Sequence, residues 1–251
     1  MELTLLILLF FLAFLCELID TSLGGGYGTI LTPVGMSIGI SPLTIIPAIL
    51  FSEICTGFLG GYAHHRFKNV DFRIVGIDFV FGFVGIAIGV LTGISIPSNI
   101  MSMWIGLIVL GCGILMLFSL RERYIVKGDF KLRNDIPLTL ICSFNKGISG
   151  GGYGPISTAG LISIKADPKK SVGSTILSEG IVCIMGFFMF MLVGRASIYL
   201  NPLTIALTTG ACLATFPAAY ITEKASPKIL KLVIAIFIIC LGVWTLSKVW
   251  F

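Results

Sequence analysis

Residues 149–156 carry the sequence SGGGYGPI, and residues 23–30 carry its near copy LGGGYGTI. Both copies lie between long apolar runs, where three consecutive glycines interrupt a helix. Backbone N–H and C=O groups freed in this way are tolerated at membrane depth only inside the protein or beside a water-filled cavity. We therefore expect both loops at the centre of a membrane protein, near the midplane of the bilayer.

Composition places the whole chain in a membrane. The 251 residues are 56% hydrophobic and 12% charged, with a mean hydropathy of +1.04, whereas a soluble domain carries about 25% charged residues. This composition predicts an all-α, multi-pass protein of the cytoplasmic membrane. The net charge of +5 comes from short loops and not from a basic patch interleaved with aromatic residues, so we expect the lipid bilayer and no nucleic acid as a partner.

The two halves of the chain repeat one another at an offset of 126 residues. Without a gap, this shift superimposes the two GGGYG loops, Pro42 on Pro168 and Glu53 on Glu179. A fixed period that keeps polar residues in register predicts two structural repeats.

Segment lengths and charge give a predicted topology. Residues 1–120 and 136–251 form the two repeats, with about five hydrophobic segments in each, and residues 121–135 form a cytoplasmic linker. The segments beside the glycine loops are shorter than the ~20 residues of a straight crossing. They are expected either to cross as broken helices or to form re-entrant hairpins.

Basic residues give the orientation. Most of the 17 Lys and Arg residues lie in four loops, at 64–73, 121–135, 165–170 and 222–231. The positive-inside rule puts these loops in the cytoplasm and the N-terminus outside. Each repeat then crosses the membrane an odd number of times, so the repeats are predicted to be inverted relative to each other, as in many secondary transporters.

The glycine loops are predicted to bind an anion. Glycines permit positive φ, so successive N–H groups converge on a ligand, and the segment after each loop offers a helix N-terminus. The candidate substrate-binding residues are Gly24, Gly25, Gly26, Tyr27 and Gly28 in the first loop, and Gly150, Gly151, Gly152, Tyr153 and Gly154 in the second. The tyrosines either donate to the ligand or fill the cavity, and close helix packing is the alternative role for the glycines.

Charged residues within the apolar segments are the next candidates. Glu53 and Glu179 lie near the middle of their segments, where a carboxyl group is normally paired, protonated or facing water. Proton coupling and structural hydrogen bonding are both open roles for them. Asp20 and Lys146 occupy equivalent positions before the two loops. Lys146 is a candidate counter-charge for the substrate or for Asp20, with snorkelling to the interface as the alternative.

Several other polar residues are expected to have no special role. Asp78 lies close enough to the cytoplasmic end to be solvated, and His64 and His65 are expected at the interface. The seven cysteines lie in apolar runs without CxxC spacing, which favours packing over a disulfide or zinc site. We find no HExxH, Ser/His/Asp or paired-carboxylate motif, so we expect no enzyme activity, no metal site and no cofactor.

These motifs resemble the TauE/SafE family of membrane transporters, also described as sulfite exporters. The resemblance rests on the glycine loop followed by TILTP at 29–33, on FKNVDFR at 67–73, and on GISGGGYGPI together with KADPKKSVGSTILSE at 165–179. It covers nearly the whole chain. It implies transport of a small sulfur-containing anion such as sulfite, thiosulfate or an organosulfonate.

The resemblance also implies substrate contacts outside the loops. In the second repeat these fall on Ser174, Thr175 and Ser178, early in the third segment. The first repeat departs from this pattern, because it carries Ala48 and Ile49 at the first two of the equivalent positions.

The leading hypothesis is a secondary transporter that exposes a small sulfur oxyanion alternately to each side of the membrane. A cation exchanger for Ca²⁺ or Na⁺ is the alternative, with Glu53 and Glu179 as ligands, although neither repeat places a second carboxylate near its glutamate in the sequence. An intramembrane enzyme or an assembly subunit is the third hypothesis.

Overall fold

The protein is a bundle of α-helices. The computed structural model describes residues 2–121, 131–195, 201–224 and 228–250, and within these ranges it contains ten α-helices and no strand. This confirms the predicted all-α fold class. Most of the predicted linker, residues 122–130, lies outside the described residues, as do residues 225–227 of the last basic loop.

The helices follow the predicted segments closely. The first repeat contains α1 (Leu3–Leu23), α2 (Tyr27–Ser37), α3 (Pro42–Arg66), α4 (Phe72–Ser95) and α5 (Ser98–Arg121). The second contains α6 (Asp135–Ser149), α7 (Tyr153–Ser163), α8 (Pro168–Phe190), α9 (Pro202–Lys224) and α10 (Lys228–Trp250). A 3₁₀ turn, Leu132–Asn134, precedes α6, and a π-helical turn, Met191–Arg195, follows α8.

Six of the described helices, α1, α3, α4, α5, α8 and α9, are long and apolar enough to span a membrane. α2 and α7 have 11 residues each and α6 has 15, which is too short for a straight crossing of ~20 residues. One of the predicted short segments is longer than expected. α1 has 21 residues and reaches Leu23, because its polar C-terminal turns are buried against other helices rather than exposed to lipid.

The second glycine loop lies at the tip of a re-entrant hairpin. Gly160, near the end of α7, lies against Leu138 in the first turn of α6, so α7 returns to the end of the bundle from which α6 starts. α6 runs parallel to α4, with Gly82 beside Thr139 and Gly93 beside Ile148. The second hairpin therefore opens towards the end where α4 starts, which carries the basic loop at 64–73.

The first glycine loop lies at the tip of a hairpin that opens to the other end. Ser37, at the end of α2, accepts a hydrogen bond from the Trp244 indole in the last turns of α10. α1 runs parallel to α9, with Phe10 beside Gly210 near the helix starts. Each half therefore contains a helical hairpin with its glycine loop at the tip. Both arms are short in the second half, as in a re-entrant hairpin, whereas α1 in the first half is long enough to span a membrane.

Helix packing is reciprocal between the two halves. α1 packs on α9 as α6 packs on α4, and α3 packs on α9 as α8 packs on α4. The α3–α8 and α5–α10 pairs map onto themselves under the 126-residue shift. This pattern is what a two-fold relation between two repeats produces, and the inversion of the repeats within a bilayer stays a prediction.

Glycines on α4 allow α6 to approach closely. A Cβ atom on Gly85 would lie 2.8 Å from the Leu140 carbonyl oxygen, and one on Gly93 would lie 3.3 Å from the Ile148 Cα. The even spacing of small residues on one helix face is typical of helix contacts in membranes. This contact fixes α6, and with it Lys146, relative to the first repeat.

Candidate functional site

Each glycine loop ends one helix by the same backbone geometry. Gly24 caps α1 with φ 78°, and its N–H donates to the Asp20 carbonyl at 2.7 Å. Gly150 caps α6 with φ 69°, and its N–H donates to the Lys146 carbonyl at 2.8 Å. Glycine adopts this left-handed conformation without a steric penalty, so the turns depend on it. All ten candidate residues of the two loops are buried.

The two loops pack directly against each other. The tip of each loop contacts the first turn of the helix that follows the other loop. A Cβ atom on Gly151 would lie 2.6 Å from the Thr29 nitrogen, and one on Gly154 would lie 2.5 Å from the Gly25 Cα. Two hydrogen bonds also join the hairpins, from the Thr158 hydroxyl to the Gly24 carbonyl (2.7 Å) and from the Gly152 N–H to the Thr29 hydroxyl (3.0 Å). The loops thus converge as expected, and they are closed on each other in this structure.

The N-terminus of α2 is occupied by a carboxylate of the protein itself. The Asp20 side chain accepts the Tyr27 N–H at 2.9 Å, and the Gly26 N–H also faces it. An anionic group is favoured at this end of a helix. Asp20 therefore takes the place that we expected a substrate anion to take at the first loop, whereas the equivalent residue before the second loop is Lys146.

Lys146 joins the two repeat-related glutamates. Its Nζ lies 2.5 Å from Glu53 Oε2 on α3 and 2.6 Å from Glu179 Oε1 on α8. The Lys146 side chain has 0% of its surface exposed, so the alternative that it snorkels to the interface is wrong, and its ion-pair partners are the two glutamates and not Asp20. The reason is the close α4–α6 contact, which holds the last turn of α6 inside the bundle.

This ion cluster spans both repeats but is not fully satisfied. Two carboxylates share one ammonium group, and each contacts it through a single oxygen atom. Glu53 Oε1 and Glu179 Oε2 are buried and make no hydrogen bond within the described part of the chain. Groups buried in this way are costly in a low-dielectric interior. The cluster can therefore accept a proton or a further ligand without first breaking a hydrogen bond to those two oxygens.

Glu17 is a further buried acid that our sequence analysis missed. It lies one helical turn before Asp20, with 1% of its surface exposed, and accepts a hydrogen bond from the Thr21 hydroxyl at 2.6 Å. It faces Glu53 and Glu179 electrostatically. The available signal was a glutamate inside an apolar run. The second repeat carries Ser143 at the equivalent position, so Glu17 has no repeat-related acid.

The two loop tyrosines point to different polar partners. The Tyr27 hydroxyl lies 2.7 Å from the Ser52 hydroxyl. In the second repeat the equivalent hydroxyls, of Tyr153 and Ser178, face the Asp78 carboxyl. Both tyrosines are completely buried, so in this conformation they fill the interior, and the Tyr27 hydroxyl also bonds to the protein.

The remaining residues implied by the family resemblance also contact the protein. The Ser174 hydroxyl accepts the Asp71 backbone N–H at 2.8 Å, and the Thr175 hydroxyl lies 3.1 Å from that of Ser157. Asp71 in turn caps α4 by accepting the Arg73 N–H. Hydrogen bonds and charge from Arg73 lower the pKa of the Asp71 carboxyl, so this cap is ionised at neutral pH.

Two residues expected at the solvent are buried instead. Asp78 is 1% exposed and accepts a hydrogen bond from the Thr139 hydroxyl on α6. His64 has no exposed surface, and its Nε2 lies 2.9 Å from the Thr21 carbonyl oxygen. Both expectations were wrong because the first turns of α6 cover Asp78 and the last turn of α1 covers His64. His65 is exposed, as predicted.

A polar cavity of about 210 Å³ lies at the end of the bundle opposite the basic loop at 64–73. Its lining includes Ser37 of α2, Asn99 and Ser102 of α5, and Lys248 of α10. The Lys248 ammonium donates to the Ser37 carbonyl at 3.2 Å. Hydroxyl, amide and ammonium groups of this kind suit a small anion at the mouth of the first hairpin.

Metal ligands are not grouped in the described ranges. No set of three or more His, Cys, Asp or Glu side chains there has a geometry that could hold a metal ion. The acids of the central cluster face an ammonium group rather than an open coordination site.

A multi-pass helical bundle with two glycine-tipped helical hairpins and a buried ion cluster between them is typical of a membrane transporter. The family described as sulfite exporter TauE/SafE matches residues 9–245. The chain is also 29% identical over 253 residues to a probable membrane transporter protein of Bacillus subtilis (strain 168), YtnM, and the match covers 98% of this chain and 84% of that protein. No solved structure matches it.

The chain belongs to the sulfite exporter TauE/SafE family. It is accordingly a membrane transporter and not an enzyme, and the resemblance noted in the sequence is confirmed.

Proposed function

We propose that the protein is a secondary transporter that moves a small sulfur-containing oxyanion, such as sulfite, thiosulfate or an organosulfonate, across the cytoplasmic membrane by alternating access. The N-terminus lies outside and the two repeats are inverted. The observation that carries this proposal is the Lys146 ammonium, buried where the two hairpins meet and shared by one glutamate from each repeat.

The asymmetry between the repeats supports a site at the second loop. Asp20 already fills the N-terminus of α2, whereas the matching position before α7 holds the cation Lys146. The N-terminal amides of α7, at Tyr153 and Gly154, then provide the donors for an anion. Lys146 provides the fixed charge, and the hydroxyl of Ser178 lies buried on the adjacent helix α8.

Proton coupling follows from competition for the ammonium. The Glu53 and Glu179 carboxylates and the substrate anion are all ligands for Lys146. Protonation of one carboxyl removes a competing negative charge, so an anion gains access to the ammonium when a proton binds. The unbonded oxygens Glu53 Oε1 and Glu179 Oε2 are the atoms that accept this proton.

Alternating access requires the two hairpins to separate. Their loops are in direct backbone contact in this structure, and a polar cavity is lined by Ser37 and Lys248. We assign that cavity as the entrance on the outer side. Movement of one hairpin past the other would then expose the second loop to each side in turn.

A cation exchanger is the second candidate, because folding brings Glu17 and Asp20 near Glu53 and Glu179. Lys146 at the centre of these acids opposes it, since an ammonium repels a second cation.

A thermal-shift panel on the detergent-purified protein tests the proposal. It compares sulfite, thiosulfate, sulfate, a sulfonate and chloride with Ca²⁺ and Na⁺. A ligand that binds only the folded state stabilises it by about 2.7 kcal/mol at 100 times its Kd. We expect a shift with a sulfur oxyanion and none with the cations. Stabilisation by Ca²⁺ or Na⁺ alone would replace the anion proposal with the exchanger.

A further inference from the structure

Four acidic side chains and one ammonium group are buried close together among the described helices. They are Glu17 and Asp20 of α1, Glu53 of α3 and Glu179 of α8, and the ammonium is that of Lys146 on α6. All five residues have no more than 5% of their surface exposed. If every group were ionised, the cluster would carry three uncompensated negative charges. A low-dielectric interior does not hold such an excess, so the cluster carries protons.

Three of the four acids have a partner that favours the charged form. Glu53 and Glu179 are ion-paired with Lys146. Asp20 accepts the Tyr27 N–H at the positive end of α2. Glu17 has neither kind of partner. Its Oε1 accepts a neutral hydroxyl, and its Oε2 is buried without a hydrogen bond in the described part of the chain.

The other groups that face Glu17 do not supply a positive charge. They are Cys16 on its own helix, Tyr27 of α2, Cys212 of α9, and the acids Asp20, Glu53 and Glu179. Lys146 is held by Glu53 and Glu179. Asp78 is a different case, because the hydroxyl groups of Thr139, Tyr153 and Ser178 face it. Asp135, at the start of α6, is also buried and faces Asp78 rather than Glu17.

Thr21 lies between Glu17 and His64 and contacts both, through two different groups. The Thr21 hydroxyl donates to Glu17, and the Thr21 carbonyl lies 2.9 Å from His64 Nε2. His64 lies in the last turn of α3, beside the exposed residues His65 and Arg66. The bond from His64 fixes the last turn of α1, and with it the hydroxyl that holds Glu17.

We propose that Glu17 is a third proton-binding carboxyl group of the transport cycle, held in place by Thr21 and, through Thr21, by His64. The carboxylate takes a proton from a hydronium ion: one O–H bond of that ion breaks and leaves water, one O–H bond forms on the carboxyl group, and the cluster loses one negative charge. This inference rests on the proposed function and adds to it a proton site that has no equivalent in the second repeat.

Infrared difference spectroscopy of the purified full-length protein tests proton binding directly. A protonated carboxyl group has its own C=O stretching band, which we follow while the pH is changed. Glu17→Gln, which keeps the size of the side chain, should remove one titrating band, whereas Thr4→Ala, at an exposed position of the same helix, should leave all the carboxyl bands of the wild type in place. Identical titrations for Glu17→Gln and the wild type would overturn the assignment.

Transport assays in proteoliposomes test the role of Glu17 in transport. With an imposed thiosulfate gradient, Glu17→Gln should lower thiosulfate-driven proton movement several-fold relative to Glu2→Gln. Unchanged proton movement in Glu17→Gln would overturn the inference and leave the proposed function standing. If the wild type moves no sulfur anion, the proposed function fails, and the infrared titration still decides whether Glu17 binds a proton.

His64 acts through Thr21 and is a positioning residue. His64→Gln keeps an N–H donor for the Thr21 carbonyl, so we expect the wild-type titration of the Glu17 band. His64→Leu removes the donor and should shift that titration, whereas the neighbouring exposed change His65→Leu should not. Equal titrations in His64→Leu and His65→Leu would overturn the positioning role.

Discussion

Glu53 and Glu179, which are 126 positions apart in the sequence, meet at one ammonium group, with carboxylate oxygens 2.5 Å and 2.6 Å from Lys146 Nζ. One glutamate comes from each half, so this cluster ties the two halves together at the centre of the bundle. A buried ion pair adds little net stability over a well-packed apolar contact, but the loss of one partner is costly.

Removal of the ammonium should therefore destabilise the protein strongly. For Lys146→Met we expect a loss of about 3–5 kcal/mol in the free energy of unfolding at neutral pH, because two carboxylates remain buried without a cation. Thermal unfolding in detergent measures this. The matched control is the triple change Lys146→Met, Glu53→Gln and Glu179→Gln, which should recover most of the stability. A single variant as stable as the wild type would show that the ion pairs do not form in the membrane protein.

The glutamates should set the pH dependence of transport. Glu179→Gln and Glu53→Gln each remove a carboxyl group that competes for Lys146, so transport by each variant should depend less on pH than transport by the wild type. Initial rates in liposomes over a range of pH measure this, with Glu2→Gln as the control. An unaltered pH profile in both variants would leave the glutamates with a structural role only.

Much of the fold could be predicted from the sequence. The repeated GGGYG loop and the 126-residue offset predicted the broken segments, and the apolar runs predicted helix positions. These features are local or periodic, so they are visible without coordinates. The choice between a broken crossing and a re-entrant hairpin was not visible, because it depends on where α7 returns relative to α6.

The ion cluster could be predicted only in part. Glu53, Glu179 and Lys146 each stood out as charges in apolar surroundings, but their meeting depends on the packing of α6 against α4 and of α3 against α8. Glu17 was missed because it has no counterpart in the second half. His64 was placed at the interface because its burial depends on α1, which is distant in the sequence.

The contact between the two loops should be sensitive to a single methyl group. Gly151→Ala places a Cβ atom 2.6 Å from the Gly28 carbonyl carbon and the Thr29 nitrogen, so the hairpins must move apart. We expect substrate affinity to fall while the protein still inserts. Gly76→Ala is the control, because a Cβ atom there meets nothing within 4 Å. Isothermal titration with thiosulfate compares the two, and equal affinities would contradict a substrate site at the second loop.

Ser174 should be needed for folding as well as for any contact with the substrate. Ser174→Ala leaves the Asp71 N–H at the start of α4 without its acceptor, which should lower the free energy of unfolding by about 1–3 kcal/mol. Ser163→Ala is a suitable control, since that exposed hydroxyl donates to the Ala159 carbonyl of its own helix. Denaturation of the ligand-free proteins measures the difference in the free energy of unfolding between the two variants. If Ser174→Ala matches the control in stability, Ser174 has no structural role, and its hydroxyl serves the ligand alone.

The central claim is transport of a sulfur oxyanion past Lys146, and counterflow tests it most directly. Liposomes that contain the wild-type protein and unlabelled thiosulfate are diluted into labelled thiosulfate, and uptake is followed with and without sulfite, a sulfonate, chloride or Ca²⁺ outside. We predict transient accumulation of the label, inhibition by sulfite or the sulfonate but not by chloride or Ca²⁺, and loss of accumulation in Lys146→Met. Accumulation at the level of protein-free liposomes, or equal uptake by the wild type and Lys146→Met, would contradict the account.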